Sequence, residues 1–337
     1  MAKKVQLHTQ LSTFSTYHAQ GETGIMIMQN PTIYTWMLNN TTTIECNKRF
    51  LKGYTSPEIF VPKSTPNQIP YVDSLWMPCK FFEGHIHGII RNALDRGYYV
   101  GFSHVDDYYI PGKSWYKEKH RPHDGLICGY DQEKKTYSIF AYDKNWVYSV
   151  FEVPQKSLQK GIESSAKIGY TSSIRALKAK NDQIALDPKL IAINLKIYLS
   201  STLENDPPDK GGRATGTVVH NYIHMYLDLL HKGSVKHGHA DQRILRLIWE
   251  HKKCMYDRIY EVENYYNVEH SLSSEYKQVV TMIDKARLLY AMYIKNNKTQ
   301  LLVSIKDLLK SVQENETKIL TEFVTRIERN FKDEAME

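Results

Sequence analysis

Two histidines and a downstream aspartate carry the densest chemical signal in the sequence. His120 and His123 open the run HRPHDGLICGYD (120–131), and TYSIFAYD (136–143) ends on Asp143. Both runs read as strands, and QEKK (132–135) between them reads as a turn. Folding about that turn brings His123 and Asp143 to one end of a hairpin. An imidazole held by a carboxylate keeps one tautomer and can act as a general base. The same pair could equally do no more than tie two strands together. A thiol-protease-like site also needs a nucleophile, best placed at a helix N-terminus where the dipole favours a thiolate.

Four cysteines are candidates for that role: Cys46, Cys79, Cys128 and Cys254. Cys79 follows Pro78 and precedes an amphipathic run, so the dipole argument extends to it. Cys46 and Cys128 fall in strand-like runs and Cys254 in a helical one, where free cysteines are usually inert core. None stands in a C-x-x-C pair, which excludes a zinc ribbon and makes a disulfide framework unexpected. A metal site could be built from His120 and His123 with His85 and His87. On a helix, however, residues two apart project about 200° from each other, so no single face collects His85 and His87. No metal or cofactor is expected.

The 337 residues are 42% apolar and 24% charged, with a net charge of +7. That is enough chain for two domains with real cores. The charge suits an acidic protein or an anionic cofactor, and no dense Lys/Arg run marks a nucleic-acid binder. The start, MAKKVQLHTQLSTF, lacks the apolar stretch of a secretory signal, and no run of about 18 apolar residues occurs. The expectation is a cytoplasmic protein.

The elements that must position these residues divide the chain into a mixed half and a helical half. Residues 15–38 read as an imperfect helix, capped by Ser15 or Thr16 and weakened by Gly21 and Gly24. TTTIEC (41–46) reads as a short strand, and 52–78, with its prolines, as loop with short strands. Phe82, Ile86, Ile89, Ile90, Ala93 and Leu94 recur at helical spacing, with Gly97 at the C-cap. Strands follow at 98–105, 124–131, 137–143 and 146–153, an antiparallel meander. The chain from Pro154 to about 180 reads as the exit from the sheet. Helical stripes then occupy 214–231, 244–259, 276–294, 302–312 and 319–327. The expected fold is α+β, with an antiparallel-sheet domain over 1–170 and an all-helical domain over 171–337.

The run RGYYVGFSHVDDYYIPGKSWYKEKHRPHDGLICGYDQEKKTYSIFAYD (96–143) resembles the butirosin biosynthesis protein H family, as does WEHKKCMYDRI (249–259) in the helical half. These are papain-like acyltransferases of antibiotic and nonribosomal peptide clusters, similar in fold to bacteriocin-processing cysteine peptidases. The resemblance implies acyl transfer from a carrier-protein thioester, on a phosphopantetheine arm, to an amine. It puts the family histidine at His123 and the family aspartate at Asp143. The family cysteine, early in the first helix, falls in FSTYHAQ at Thr16, a far weaker nucleophile than a thiol. Thr16 or Ser15 acting as an alcohol nucleophile, Cys79 acting instead, and a non-catalytic protein that binds the carrier all stay open. The aromatic loop GKSWYKEKH (112–120), with Tyr108 and Tyr109, is expected to cover the site or simply to pack on the sheet.

Overall fold

The computed structural model describes residues 3–11, 13–53, 55–82 and 84–334. They form two compact units: Met1–Ile33 with Thr65–Gln183, and Tyr34–Ser64 with Ile184–Glu337. The division is therefore interleaved, where a single break at residue 170 was expected. Residues 171–183 belong with the sheet, and 34–64 with the helices.

The first unit is built on a seven-stranded antiparallel sheet. Its strands are β1 (Lys4–Gln6), β4 (Val72–Pro78), β5 (Tyr99–Asp106), β6 (Pro122–Asp131), β7 (Thr136–Tyr142), β8 (Tyr148–Pro154) and β9 (Ser173–Ala179). The order is β4-β9-β5-β6-β7-β8, with β1 paired to the far end of β6. The meander β5 to β8 is the one read from alternation. The insertion of β9 between β4 and β5 is not. SIRALKA carries a basic residue at a position that should face a core, and Arg175 is buried there only because Glu22 neutralises it.

Val100, Phe102 and Val105 of β5 meet Ile86, Ile90 and Leu94 of α4 (Ile86–Asp95) and Leu158 of α5 (Gln155–Lys167) in one core. Helix α5 escapes the apolar pattern because its buried face is largely small and polar: Leu158, Gly161, Ser164 and Ser165. The other face of β5 turns toward α1 (His18–Gln29). There Glu22 and Arg175 form a buried ion pair, and a Cβ at Gly101 would stand 2.8 Å from Glu22 Oε1. Glycine lets that ion pair lie directly on the sheet. At Gly21 a Cβ would stand 2.8 Å from the Tyr148 hydroxyl, so α1 rides equally close to β8. The segment read as one helix over 15–38 is two, α1 and α2 (Thr32–Asn40), broken at Asn30–Pro31 and not at a glycine.

In the second unit a small sheet, β10-β2-β3, joins β2 (Glu45–Asn47), β3 (Ile59–Phe60) and β10 (Arg213–Thr215). The short α3 (Phe50–Gly53) lies between β2 and β3 in the chain. The threonines read as strand at 41–43 start differently: the Thr41 hydroxyl donates to the Met37 carbonyl and closes the end of α2. Five helices follow, α6 (Pro188–Leu199), α7 (Val219–His231), α8 (Arg243–Tyr265), α9 (Ser271–Asn296) and α10 (Gln300–Glu334). The last was expected as two, but nothing in 313–318 breaks a helix and it runs through.

This bundle has a charged centre. Lys252 of α8 and Glu316 of α10, both fully buried, pair at 2.7 Å. Tyr198 of α6 and Tyr276 of α9 donate hydroxyls to the two Glu316 oxygens, at 3.0 and 2.5 Å. His220 of α7 sits 3.1 Å from Lys252 Nζ. Side chains from all five helices thus meet at one ion pair. Buried Arg258 donates to the buried last-turn carbonyls of Met37 and Leu38 in α2, which ties 34–41 to α8. No helix among the described residues is long and apolar enough to cross a membrane.

Candidate functional site

The site forms where β5, β6 and the first turn of α1 meet. The β5–β6 register shifts between Phe102 and Val105, and His104 takes a positive φ of 55° in that bulge. Its amide donates to Asp124 Oδ1 at 3.3 Å. Beyond the bulge Val105 pairs with His123, and the chain turns at once into a 3₁₀ turn, Asp107–Tyr109. Bulges re-aim side chains in this way beside functional sites. Asp107, two residues past the cross-strand partner of His123, lands in diagonal reach.

The result is a histidine–carboxylate pair, and its carboxylate is Asp107. His123 Nδ1 lies 3.1 Å from Asp107 Oδ2. The Asp107 side chain is 1% exposed and that of His123 27%. Lys113, nearly as buried as Asp107, lies 3.9 Å from Asp107 Oδ1 and donates to the Asp124 carbonyl at 2.9 Å. Burial lowers the Lys113 pKa, while Asp107 and Asp124 oppose that drop.

Asp143, expected to orient His123, does other work. The ladder register, Leu126 opposite Phe140, extrapolates to His123 opposite Asp143, as counting from the turn predicts. The ladder ends before that pair, however, and Asp143 folds onto its own turn. Its Oδ1 accepts from the amides of Asn145 and Val147 at 2.8 and 3.0 Å, and its Oδ2 from the Ser149 hydroxyl at 3.1 Å. Local amides outcompete a cross-strand partner because they need no long-range placement. Burial raises the Asp143 pKa, but these hydrogen bonds outweigh it and leave the carboxyl below its usual range.

The third part comes from α1. Its N-cap is Tyr17, whose side chain makes no cap and whose carbonyl accepts from the Gln20 amide at 3.0 Å. Thr16, two residues before the helix, is 5% exposed and Ser15 7%. The Ser15 carbonyl accepts from the Tyr142 hydroxyl at 2.8 Å. The ring that meets His123 is that of His18, the first residue of α1, edge-on at 4.9 Å between centroids. His18 is 8% exposed, its Nδ1 lies 3.0 Å from the Tyr148 hydroxyl, and its Nε2 is buried with no hydrogen-bond partner. Burial first, then Lys113 and His123, hold its pKa well below the ordinary 6.5, so the ring is neutral at pH 7.

None of the four thiols matches this geometry. Cys79 stands in a 3₁₀ turn (Cys79–Phe82) before α4, not at the helix start, and burial pushes its pKa up to about 12. Burial pushes Cys46 to about 12 and Cys128 to about 11, and raises Cys254 as well. Burial thus disfavours the thiolate at all four.

His120 forms a second pair on the adjacent aspartate. Its Nδ1 lies 2.6 Å from Asp106 Oδ2, which also accepts from the Ser164 hydroxyl at 2.6 Å, and Tyr108 stacks on its ring. The consecutive Asp106 and Asp107 thus serve the two histidines of HRPH. Trp115 in the aromatic loop lies beneath Lys119 and Arg121. His87 bonds the Tyr137 hydroxyl at 2.9 Å, and no group of three metal-binding side chains occurs among the described residues.

Sequence reasoning pointed to His123 and did not point to Asp107 or His18, which the structure places beside it. The available signal was the doublet Asp106–Asp107 at the end of a strand paired with HRPH, and a histidine within FSTYHAQ. Compared with models of protein families and with curated proteins, the chain matches none.

Proposed function

We propose that this protein is a papain-like transferase that moves an acyl or peptidyl group from a carrier-protein thioester to an amine. His123 is its acid–base group, and Asp107 holds the imidazole. The observation that carries the reading is the His123–Asp107 pair set edge-on to the first turn of α1. Each part has a chemical task. The buried carboxylate fixes the imidazole tautomer and stabilises the imidazolium. The dipole of α1 favours negative charge that develops at its first turn. The resemblance of 96–143 to the butirosin biosynthesis protein H family supports the substrate class, delivered on a phosphopantetheine arm as part of antibiotic or nonribosomal peptide assembly. The net charge of +7 suits an acidic carrier, and four free cysteines suit a cytoplasmic setting.

The second reading is a binding protein that holds the carrier without turnover. The burial of all four thiols, which disfavours their thiolates, favours it. His123→Ala separates the two in an assay with an acyl-carrier thioester and an amine acceptor. The first reading expects transfer in the wild type and its loss in the variant, with folding intact. Tight carrier binding with no transfer in the wild type would establish the second, and equal turnover in both proteins would remove His123 from the mechanism.

A further inference from the structure

We infer that His18 is the covalent nucleophile of this site, carrying the acyl group on Nε2 as an acyl-imidazolium. The inference rests on the transferase reading above and names the group that the missing thiol leaves unassigned. Three observations carry it. His18 is the first residue of α1, the position from which a nucleophile would face the base. Its ring stands 4.9 Å from that of His123. Its Nε2 is buried without a hydrogen-bond partner, which is costly and so calls for a functional reason.

The chemistry balances. In the tautomer with the proton on Nδ1, that N–H donates to the Tyr148 hydroxyl and Nε2 holds a lone pair. Nε2 attacks the thioester carbonyl, the C–S bond breaks, and the departing sulfur takes a proton from the His123 imidazolium. The neutral His123 then accepts a proton from the amine as its nitrogen attacks the acyl carbon. The bond to Nε2 breaks, and its electron pair returns to His18. Thioester and amine become thiol and amide, with both rings restored. Burial first, then Lys113 and His123, disfavour a charged His18, so the nucleophilic form prevails at neutral pH.

The test uses the full chain with the acetyl thioester of N-acetylcysteamine, which needs no carrier. Rapid cold quenching and peptide mapping of the wild type should find an acetyl group on the peptide that contains His18. His18→Gln should lose the adduct and roughly 10³-fold or more of turnover. His18→Gly should regain turnover with added imidazole, which a structural role would not do. An adduct on another residue, or His18→Gln within about threefold of wild type, overturns the inference. If carrier-dependent transfer needs His123 but survives His18→Gln, the transferase reading stands and the nucleophile is wrong. If His18 is acylated while the carrier thioester and amine give no product, the nucleophile stands and the transferase reading falls.

Discussion

Asp107→Asn and Asp143→Asn together test which carboxylate the histidine uses. In Asp107→Asn the amide nitrogen can face His123 Nδ1 and donate to it. The imidazole proton then moves to Nε2, where a base must have a lone pair. In a serine-protease triad the equivalent loss costs about 10⁴ in turnover, and about 10³–10⁴ is expected here. A second cost falls on Lys113, whose Nζ lies 3.9 Å from Asp107 Oδ1 with both side chains buried. Coulomb attraction at that distance and an effective dielectric of 20 is about 4 kcal/mol. Lys113 keeps its bond to the Asp124 carbonyl and can shed its proton, so a net loss of about 2–4 kcal/mol is expected. In Asp143→Asn the remaining carbonyl oxygen keeps the amides of Asn145 and Val147, and only the Ser149 bond is weakened. Less than about 1 kcal/mol and no change in turnover should follow. The assays are urea unfolding, nitrogen-15 NMR of the His123 tautomer, and acyl transfer. An Asp143→Asn protein that loses as much turnover as Asp107→Asn, or an unchanged His123 tautomer in Asp107→Asn, would refute the reasoning.

Three further outcomes follow from the buried groups. Lys252→Met should cost about 3–5 kcal/mol in urea unfolding by stranding Glu316, and Lys252→Met with Glu316→Gln should recover at least half; a single-variant cost below about 1 kcal/mol would count against the ion pair. Burial, aided by Lys252, holds His220 and His251 below the ordinary 6.5, so the folded rings stay neutral while unfolded ones protonate. Stability of the helical unit should therefore be flat with respect to these groups above about pH 7 and fall as pH drops below 6.5, by up to about 3 kcal/mol per pH unit. Burial raises the Glu316 pKa, but Lys252 and His220 outweigh it and hold it far below 4.5, which extends the acid loss downward; a level profile from pH 7 to 5 would contradict both assignments. Iodoacetamide at pH 8 should leave all four cysteines unmodified in the native protein and label all four after denaturation, and rapid native labelling of Cys79 would reopen it as nucleophile.

Periodicity by itself determined the α+β class, the β5–β8 meander, α4 and most of the bundle, because alternation and helical stripes report burial on one face. It also singled out His123, whose strand is a local pattern. The tertiary structure decided the rest. β9 enters the middle of the sheet because Arg175 finds Glu22, which lies 153 residues away in the chain. Asp107 takes His123 because a bulge shifts β5 by a step that no periodicity encodes, while Asp143 is claimed by its own turn. His18 meets His123 because Gly101 and Gly21 let α1 lie close on the sheet. Patterns in the chain specify which face of an element is buried. Which polar side chain meets which depends on register and close approach, and those exist only once the elements pack.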